Sequence, residues 1–256
     1  MPAIDLSVVT PAHNEEGNVA ALVGEIERTF AHAGILFELI IVDDGSTDAT
    51  RARALDAASG RDWVRVIAMS NTPPGRGCGQ SAAFAAGFAV ARGRLIATMD
   101  ADLQNDPADL PAMLDLLERS GADVVQGDRS RSRRDNWMRR RTSAVGRVFR
   151  RLILGDRVRD TGCSLRVMKR EVARALPLNL RGMHRFIPVT ARDLGYRVVE
   201  MPVVHRQRSA GETKYGKAGI LKRAIPGLVD CFAVRYMRSR RTPVEAVELA
   251  AAEARP

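Results

Sequence analysis

Residues 95 to 107 read Leu-Ile-Ala-Thr-Met-Asp-Ala-Asp-Leu-Gln-Asn-Asp-Pro. Leu95 to Met99 is a short apolar run of the kind shown by a strand buried on both faces. Asn105-Asp106-Pro107 is a helix-start signal, with side chains able to cap ahead of a proline whose fixed φ suits the first helical position. Between the two lies an acidic turn, Asp100-Ala101-Asp102-Leu103-Gln104. A buried strand that passes through a turn into a helix is one unit of an alternating α/β chain.

The same unit recurs on both sides of this stretch. Asp5 to Thr10, Phe37 to Val42, Val64 to Met69 and Asp123 to Gln126 read as further short strands rich in Val, Ile and Leu. Asn18 to Phe30, Thr47 to Ala58, Ser81 to Ala91 and Ala108 to Arg119 read as helices, with Ser46-Thr47-Asp48 as a second start signal. Alternation of this kind implies right-handed crossovers and a mainly parallel sheet covered on both faces, whose ligands bind at the carboxyl ends of the strands. Those ends are polar and acidic three times over: Thr10-Pro11-Ala12-His13-Asn14-Glu15-Glu16, Asp43-Asp44-Gly45-Ser46-Thr47-Asp48 and the turn after Met99. Any one could be only a loop or a cap, but three on one edge point to a site.

From Arg129 the character changes. An arginine-rich loop leads to an amphipathic stretch near Val145 to Leu154, then to Asp160-Thr161-Gly162-Cys163-Ser164-Leu165-Arg166. A helix is expected from Arg185 to Leu194, a strand from Arg197 to Val204, a loop from His205 to Lys217, and a last amphipathic helix from Ile220 to Met237, interrupted at Pro226. The organisation expected is one main domain over 1–217, divided into two halves (1–128 and 129–217), an amphipathic helix over 218–240 and a flexible tail over 241–256.

The chain has 256 residues, 45% hydrophobic and 27% charged, enough for a sizeable core. Its apolar stretches are broken before the ~18 residues a membrane span needs, and Cys78, Cys163 and Cys231 have neither zinc nor paired-disulfide spacing. Cytoplasmic residence is the expectation. The net charge of +10 is unevenly placed: between Arg129 and Arg159 twelve arginines face only Asp135 and Asp156, a surplus equal to that of the whole chain. Such a block suits nucleic acid, an anionic membrane, phosphorylated substrates, or merely a solvated face. A nucleic-acid module fits poorly, because aromatics make up only 5% of the chain.

An Asp-x-Asp at a strand end, with other carboxylates nearby, suits a hard divalent cation. Mg²⁺ or Mn²⁺ takes oxygen ligands and keeps waters and substrate phosphates in its shell, so two or three protein oxygens suffice. Asp102 and Gln104 are the expected ligands, with Asp100 binding directly or through water, and the metal would offset the charge of a departing diphosphate. A G-x-x-x-x-G-K-[ST] loop is absent, and no G-x-G-x-x-G follows the first strand, which argues against an NTPase and a dinucleotide oxidoreductase.

In order and spacing, Thr10 to Glu16, Val42 to Asp48, Gly79-Gln80-Ser81-Ala82-Ala83 and Met99 to Gln104 resemble the family-2 glycosyltransferases of GT-A fold. Within them the chain is similar to the polyprenyl-phosphate sugar transferases typified by dolichol-phosphate mannose synthase. The resemblance continues through Asp160 to Arg166, His205 to Arg208 and Gly211 to Tyr215, and the Asp-x-Gly-Cys-x-Leu-Arg variant is similar to the aminoarabinose branch. It implies that Pro11, Ala12, Asn14, Glu15 and Asp43 surround the base and ribose, with Asp44, Gln80 and Ala101 close by. It also implies that Asp100 faces the ribose and donor sugar while Asp102 and Gln104 hold the metal. His13 departs from the family, which usually has an aromatic or aliphatic residue there.

The resemblance also gives the arginines a purpose. Arg129, Arg139 and Ser143 fall where the family holds a lipid phosphate, and Arg206, Arg208 and Lys214 would close over the diphosphate or acceptor. The implied reaction is inverting transfer from GDP-mannose or a UDP-sugar to a polyprenyl phosphate at the cytoplasmic face of a membrane, with room for a membrane-protein partner and no nucleic acid. A phosphate acceptor is already an anion and needs no general base, so Asp160 is read as an orienting group more than a proton acceptor. The alternatives are a same-fold transferase acting on a sugar hydroxyl, with Asp160 as base, and a basic membrane- or nucleic-acid-binding module without catalysis.

Overall fold

The computed structural model describes residues 3–73, 75–130, 137–207 and 218–242, with the backbone alone at 137–145 and 218–225. The first half runs β1 (Leu6–Ala12), α1 (Val19–Phe30), β2 (Phe37–Asp43), α2 (Thr50–Ala58), β3 (Val64–Ala68), α3 (Gln80–Val90) and β4 (Leu95–Thr98). Then come α4 (Leu110–Ser120), β5 (Val124–Asp128), α5 (Trp137–Leu154), β6 (Arg166–Lys169), α6 (Arg170–Ala175), α7 (Ile187–Asp193), β7 (Val198–Pro202) and α8 (Ala218–Arg240).

The strands form one seven-stranded sheet in the order β3-β2-β1-β4-β6-β5-β7, parallel except for β6, which runs antiparallel to β4 and β5. The expected mainly parallel, doubly covered sheet is therefore formed. Alternate residues of each strand enter different layers. Val8, Leu39 and Ile41 pack with Leu22 and Ile26 of α1 and Met113 of α4, whereas Val9, Ile40 and Val42 pack with Phe84 and Phe88 of α3. Each such buried side chain contributes about 1.5–3 kcal/mol relative to exposure. The α3 layer lies unusually close: a Cβ on Gly87 would come within 2.3 Å of Val9 Cγ1 and 3.2 Å of Val42 Cγ2.

Three details differ from expectation. Strand β6 and the short α6 were not foreseen, because Arg166-Val-Met-Lys is only four residues long and opens on a guanidinium that is fully buried. Helix α2 begins at Thr50 rather than Thr47, since Asp48 Oδ1 accepts the Thr50 N–H at 2.9 Å and so ends the preceding turn. Helix α8 runs through Pro226 without interruption. The proline removes one N–H donor, but Cys231 and Val234 beyond it are buried against the sheet layer and hold the helix in place.

Candidate active site

The carboxyl ends of β1, β2, β4 and β5 and the start of the antiparallel β6 share one edge of the sheet. Its first part is a pair of interlocked loops. Asn14, in the left-handed region at φ 56°, donates its N–H to Ser46 Oγ at 3.0 Å and accepts the Thr47 N–H at 2.9 Å. His13 Nδ1 donates to the Asp44 carbonyl at 2.7 Å, and the Glu15 N–H to Thr50 Oγ1 at 2.7 Å. Pro11 and Ala12 end β1 in register with Val42 and Asp43.

The two adjacent aspartates have different surroundings. Burial pushes the Asp43 carboxyl up, but the Ser46 donors and Arg51 outweigh it and hold the group below the usual range. Asp44 is a clamp: its oxygens accept the backbone N–H groups of Cys78 and Gly79, both at 2.7 Å, and the Thr72 hydroxyl at 3.2 Å. The clamp leaves no room for a side chain at Gly77, where φ is +64° and a Cβ would lie 2.7 Å from Asp44 Oδ2. It thereby seats the loop that starts α3.

The acidic turn follows β4. Gln80 Nε2, at the first position of α3, donates to Asp100 Oδ1. Asp102 Oδ1 accepts the Gln104 N–H at 3.2 Å, across Leu103, the second non-glycine residue with positive φ (59°). Such strain is kept only where surrounding contacts enforce it. Asn105 Oδ1 supplies part of that enforcement by accepting the Asp100 N–H at 3.3 Å and the Ser164 hydroxyl at 2.8 Å. Burial, and then the neighbouring Asp102 carboxylate, push the Asp100 carboxyl above its usual range against the pull of Ser164, Arg129 and Arg166. Two carboxylates crowded in this way form a hard oxygen donor set with charge to neutralise, and a divalent cation fits it. Among the described residues no cluster of three or more His, Cys, Asp or Glu could hold a metal alone, so the remaining ligands would come from a substrate diphosphate and water.

The basic part adjoins it. Arg129 Nε donates to Asp160 Oδ2 at 2.8 Å and Nη2 to Oδ1 at 3.3 Å, with both side chains only about a tenth exposed. Burial works against the Arg129 charge, yet Asp160 outweighs it and raises the guanidinium above its usual range. Arg166 lies inside the same cluster, its Nε bound to Gln126 Oε1 at 2.6 Å and its Nη2 to the Thr161 carbonyl at 3.0 Å. Burial pushes Arg166 down to about 10 and the adjoining Cys163 thiol up to about 11.

The other expected acceptor residues separate. Arg206 is engaged by Glu25 at 2.8 Å and by Asp106 at 2.6 Å, while its N–H donates to the Gln104 carbonyl at 2.9 Å. It therefore braces the acidic turn. The side chains of Arg139 and Ser143 on α5, and Arg208 and Lys214 altogether, lie outside the described residues. A concavity of about 840 Å³ between Arg94, Glu118, Lys169 and Arg174 lies at the opposite edge of the sheet, where Arg94 and Lys169 are already paired with acids.

Two further residues near this edge were given no role by the sequence. Ser81 and His184 are hydrogen-bonded at 2.9 Å across 103 positions. The available signal was a histidine in a chain that has only four, within Gly182-Met183-His184-Arg185-Phe186. On the outer side, α5 and α8 pack through an edge-to-face pair of Phe149 and Phe232 and leave Val148, Leu152, Val229, Phe232 and Tyr236 more than half exposed. Among the described residues no helix is long and apolar enough to cross a membrane.

Residues 7–176 match the family model for Glycosyl transferase family 2. The chain is 37% identical over 238 residues to the dodecaprenyl-phosphate galacturonate synthase of Rhizobium johnstonii, covering 91% of this chain and 68% of that protein. It is 34% identical over 234 residues to the undecaprenyl-phosphate 4-deoxy-4-formamido-L-arabinose transferase of Edwardsiella ictaluri, covering 91% and 70%. Glucosyl-3-phosphoglycerate synthase from Mycobacterium tuberculosis, solved with Mn²⁺, UDP and glucosyl-3-phosphoglycerate, superposes with a TM-score of 0.65 at 21% identity, over 89% of this chain and 80% of that one. At that identity the likeness speaks for the fold alone.

Proposed function

The chain belongs to glycosyl transferase family 2, and from that premise we propose that it moves a sugar from a nucleoside-diphosphate sugar onto a polyprenyl phosphate at a membrane surface. The observation that carries this reading is the meeting of two opposite chemistries on one edge of the sheet. The acidic turn at Asp100 and Asp102 suits a metal-bound diphosphate, and beside it the Arg129 guanidinium suits an acceptor phosphate. Relatives named for dodecaprenyl- and undecaprenyl-phosphate transfer support the acceptor class.

In this reading Pro11, Ala12, Asn14, Glu15 and Asp43 surround the base and ribose, and Gln80, Asp100 and Ala101 face the donor sugar. Asp44 supports that pocket from beneath by holding the Cys78–Gly79 backbone. Asp102 and Gln104, with Asp100, would hold Mg²⁺ or Mn²⁺; when bound, the metal offsets charge on the departing diphosphate. An oxygen of the acceptor phosphate bonds to the anomeric carbon as the bond from that carbon to the diphosphate breaks. The nucleoside diphosphate leaves with the electron pair and the configuration inverts. No proton has to be removed from the acceptor, so Asp160 serves by orienting Arg129. Its ion pair with Arg129 favours that role over a base for a sugar hydroxyl.

The reading places the chain peripherally at the cytoplasmic face, with the exposed apolar residues of α5 and α8 against the bilayer or a membrane-protein partner. The test is to incubate the protein with membranes, Mn²⁺ and a panel of labelled nucleotide-sugars and to extract the organic phase. Label in an acid-labile lipid is expected with one donor. Labelling only of water-soluble or polysaccharide product would overturn the phosphate acceptor.

A further inference from the structure

Ser81 follows Gln80 on the first turn of α3 and is almost completely buried. Its partner His184 sits in a 3-10 turn, Met183–Phe186, that precedes α7. Ser81 Oγ accepts the backbone N–H of His184 at 3.1 Å and lies 2.9 Å from His184 Nδ1. The hydroxyl, with one proton and two lone pairs, accepts the backbone N–H and forms a second hydrogen bond with the imidazole, so His184 is tied to Ser81 through both its main chain and its ring. Burial, helped by Arg185 and Arg166, pushes His184 down to about 3, so the ring in this contact is the neutral imidazole.

Both ends of this contact are rigidly held. Met183 and Phe186 lie in the same apolar layer as Phe84 and Phe88 of α3. Gly182, at φ +79°, lets the turn lie against α8 so closely that a Cβ there would meet Asp230 Oδ2 at 2.7 Å. The start of α3 needs such support, because Gly79 at its N-cap provides no side-chain cap. Asp44 anchors that start from one direction, through Cys78 and Gly79, and His184 from another, through Ser81. Gln80 lies between the two anchors and donates to Asp100.

We propose that His184 is a positioning residue of the transferase, which through Ser81 fixes the first turn of α3 and so keeps the Gln80 carboxamide on Asp100. The inference rests on the reading of Asp100 as part of the donor site. It makes no use of His184 as an acid or base; the imidazole acts as a fixed hydrogen-bond partner.

Two measurements on the full chain test it. In hydrogen-deuterium exchange, H184A and S81A are expected to speed amide exchange over residues 80–84 while the melting temperature moves by only a few degrees. H184N, whose carboxamide can hydrogen-bond the Ser81 hydroxyl, should restore much of the protection. In steady-state transfer with the donor identified by the labelling panel, H184A and S81A should each lower kcat/KM about tenfold, the scale of one lost hydrogen bond, and H184A should cost nothing further in a Q80A background. Independent, multiplying losses for H184A and Q80A would overturn the proposal, as would unchanged exchange at 80–84 in H184A. If H184A fails to fold, S81A and H184N make the same comparison. The exchange measurement needs no donor, so a failure of the donor-site reading, seen as full activity in D100N, is distinguishable from a failure here.

Discussion

Arg129 and Asp160 face each other through two charge-assisted hydrogen bonds, at 2.8 and 3.3 Å, in a nearly buried pair at the end of β5. The geometry decides what a substitution at Asp160 should do. D160N keeps an oxygen for Arg129 but loses the charge, so transfer to lipid phosphate should fall by about tenfold. A general base at this position would instead contribute roughly 100- to 10,000-fold. The check is kcat for D160N with circular dichroism as a folding control; near-total loss in a folded variant would reassign the acceptor to a hydroxyl.

At the other end of the site, the crowding of Asp100 and Asp102 sets the response to metal removal. Chelation by EDTA should abolish transfer and leave the melting temperature nearly unchanged, because the acidic turn is already braced by Asn105 and Arg206. Mn²⁺ or Mg²⁺ should restore activity, and D102A should lower kcat by about 100-fold or more even with excess metal. Activity that survives EDTA in the wild type would remove the metal from the reading.

Gly87 offers a test of the fold beneath the site. A methyl group there would sit 2.3 Å from Val9 Cγ1, so G87A must displace α3 from β1. The expected cost is about 1–3 kcal/mol, typical of overpacking. Thermal unfolding should show a decrease of several degrees, about 2–4 °C per kcal/mol for a chain of this size.

Much of this arrangement could be read from the chain because it is local. β1 to β5 announce themselves as apolar runs followed by turns, and the Asp106 cap with Pro107 behaves as its sequence suggests, its side chain accepting the Ala108 N–H at 2.9 Å. What could not be read depends on distant partners. Asp43 and Asp44 look equivalent in sequence, yet one pairs with Arg51 eight positions on and the other is consumed by amides more than thirty positions away. β6 was hidden because a four-residue strand opening on arginine has no periodicity, and its charge is tolerated only because Gln126 and Thr161 wait in the interior. The pairing of His184 with Ser81 leaves no local pattern, since it exists only once α3 and the 3-10 turn have packed.

The buried imidazole also gives stability a pH dependence with a definite sign. His184 binds a proton near 6.5 when unfolded but only at about 3 when folded, held down by burial and by Arg185 and Arg166. Between these values the unfolded chain carries more protons, so stability falls as pH decreases from about 6.5 toward 3. Glu38 and Asp43, whose folded carboxyls lie below their usual range, lose their contribution only at lower pH. The carboxyls of Asp100, Asp109, Asp193, Glu200 and Asp230 lie above their usual range and act with the opposite sign as pH falls, so it is the difference in slope between the wild type and H184N from pH 6.5 to 5 that isolates His184. As pH falls over that interval the melting temperature of the wild type should drop relative to that of H184N; equal slopes would contradict a buried neutral imidazole.

The outer face of α5 and α8 carries the last prediction. Val148 and Leu152 are one turn apart, and Val229, Phe232 and Tyr236 follow at three- and four-residue spacing, so each helix exposes an apolar stripe. Arg151, Arg235 and Arg240 are exposed on the same two helices. Apolar insertion combined with cationic attraction predicts binding to vesicles that contain phosphatidylglycerol, weaker binding to pure phosphatidylcholine, and release as salt screens the arginines. V229D/Y236D should lower co-sedimentation with the anionic vesicles severalfold, because charged residues would have to enter the interface, while the Phe149–Phe232 contact and the folded core around Cys231 and Val234 stay intact. Transfer to a lipid acceptor embedded in those vesicles should fall with binding, whereas transfer to a short-chain, detergent-soluble polyprenyl phosphate should not. Equal loss with both acceptors would mean that the helices support the active site itself and not its delivery to the membrane.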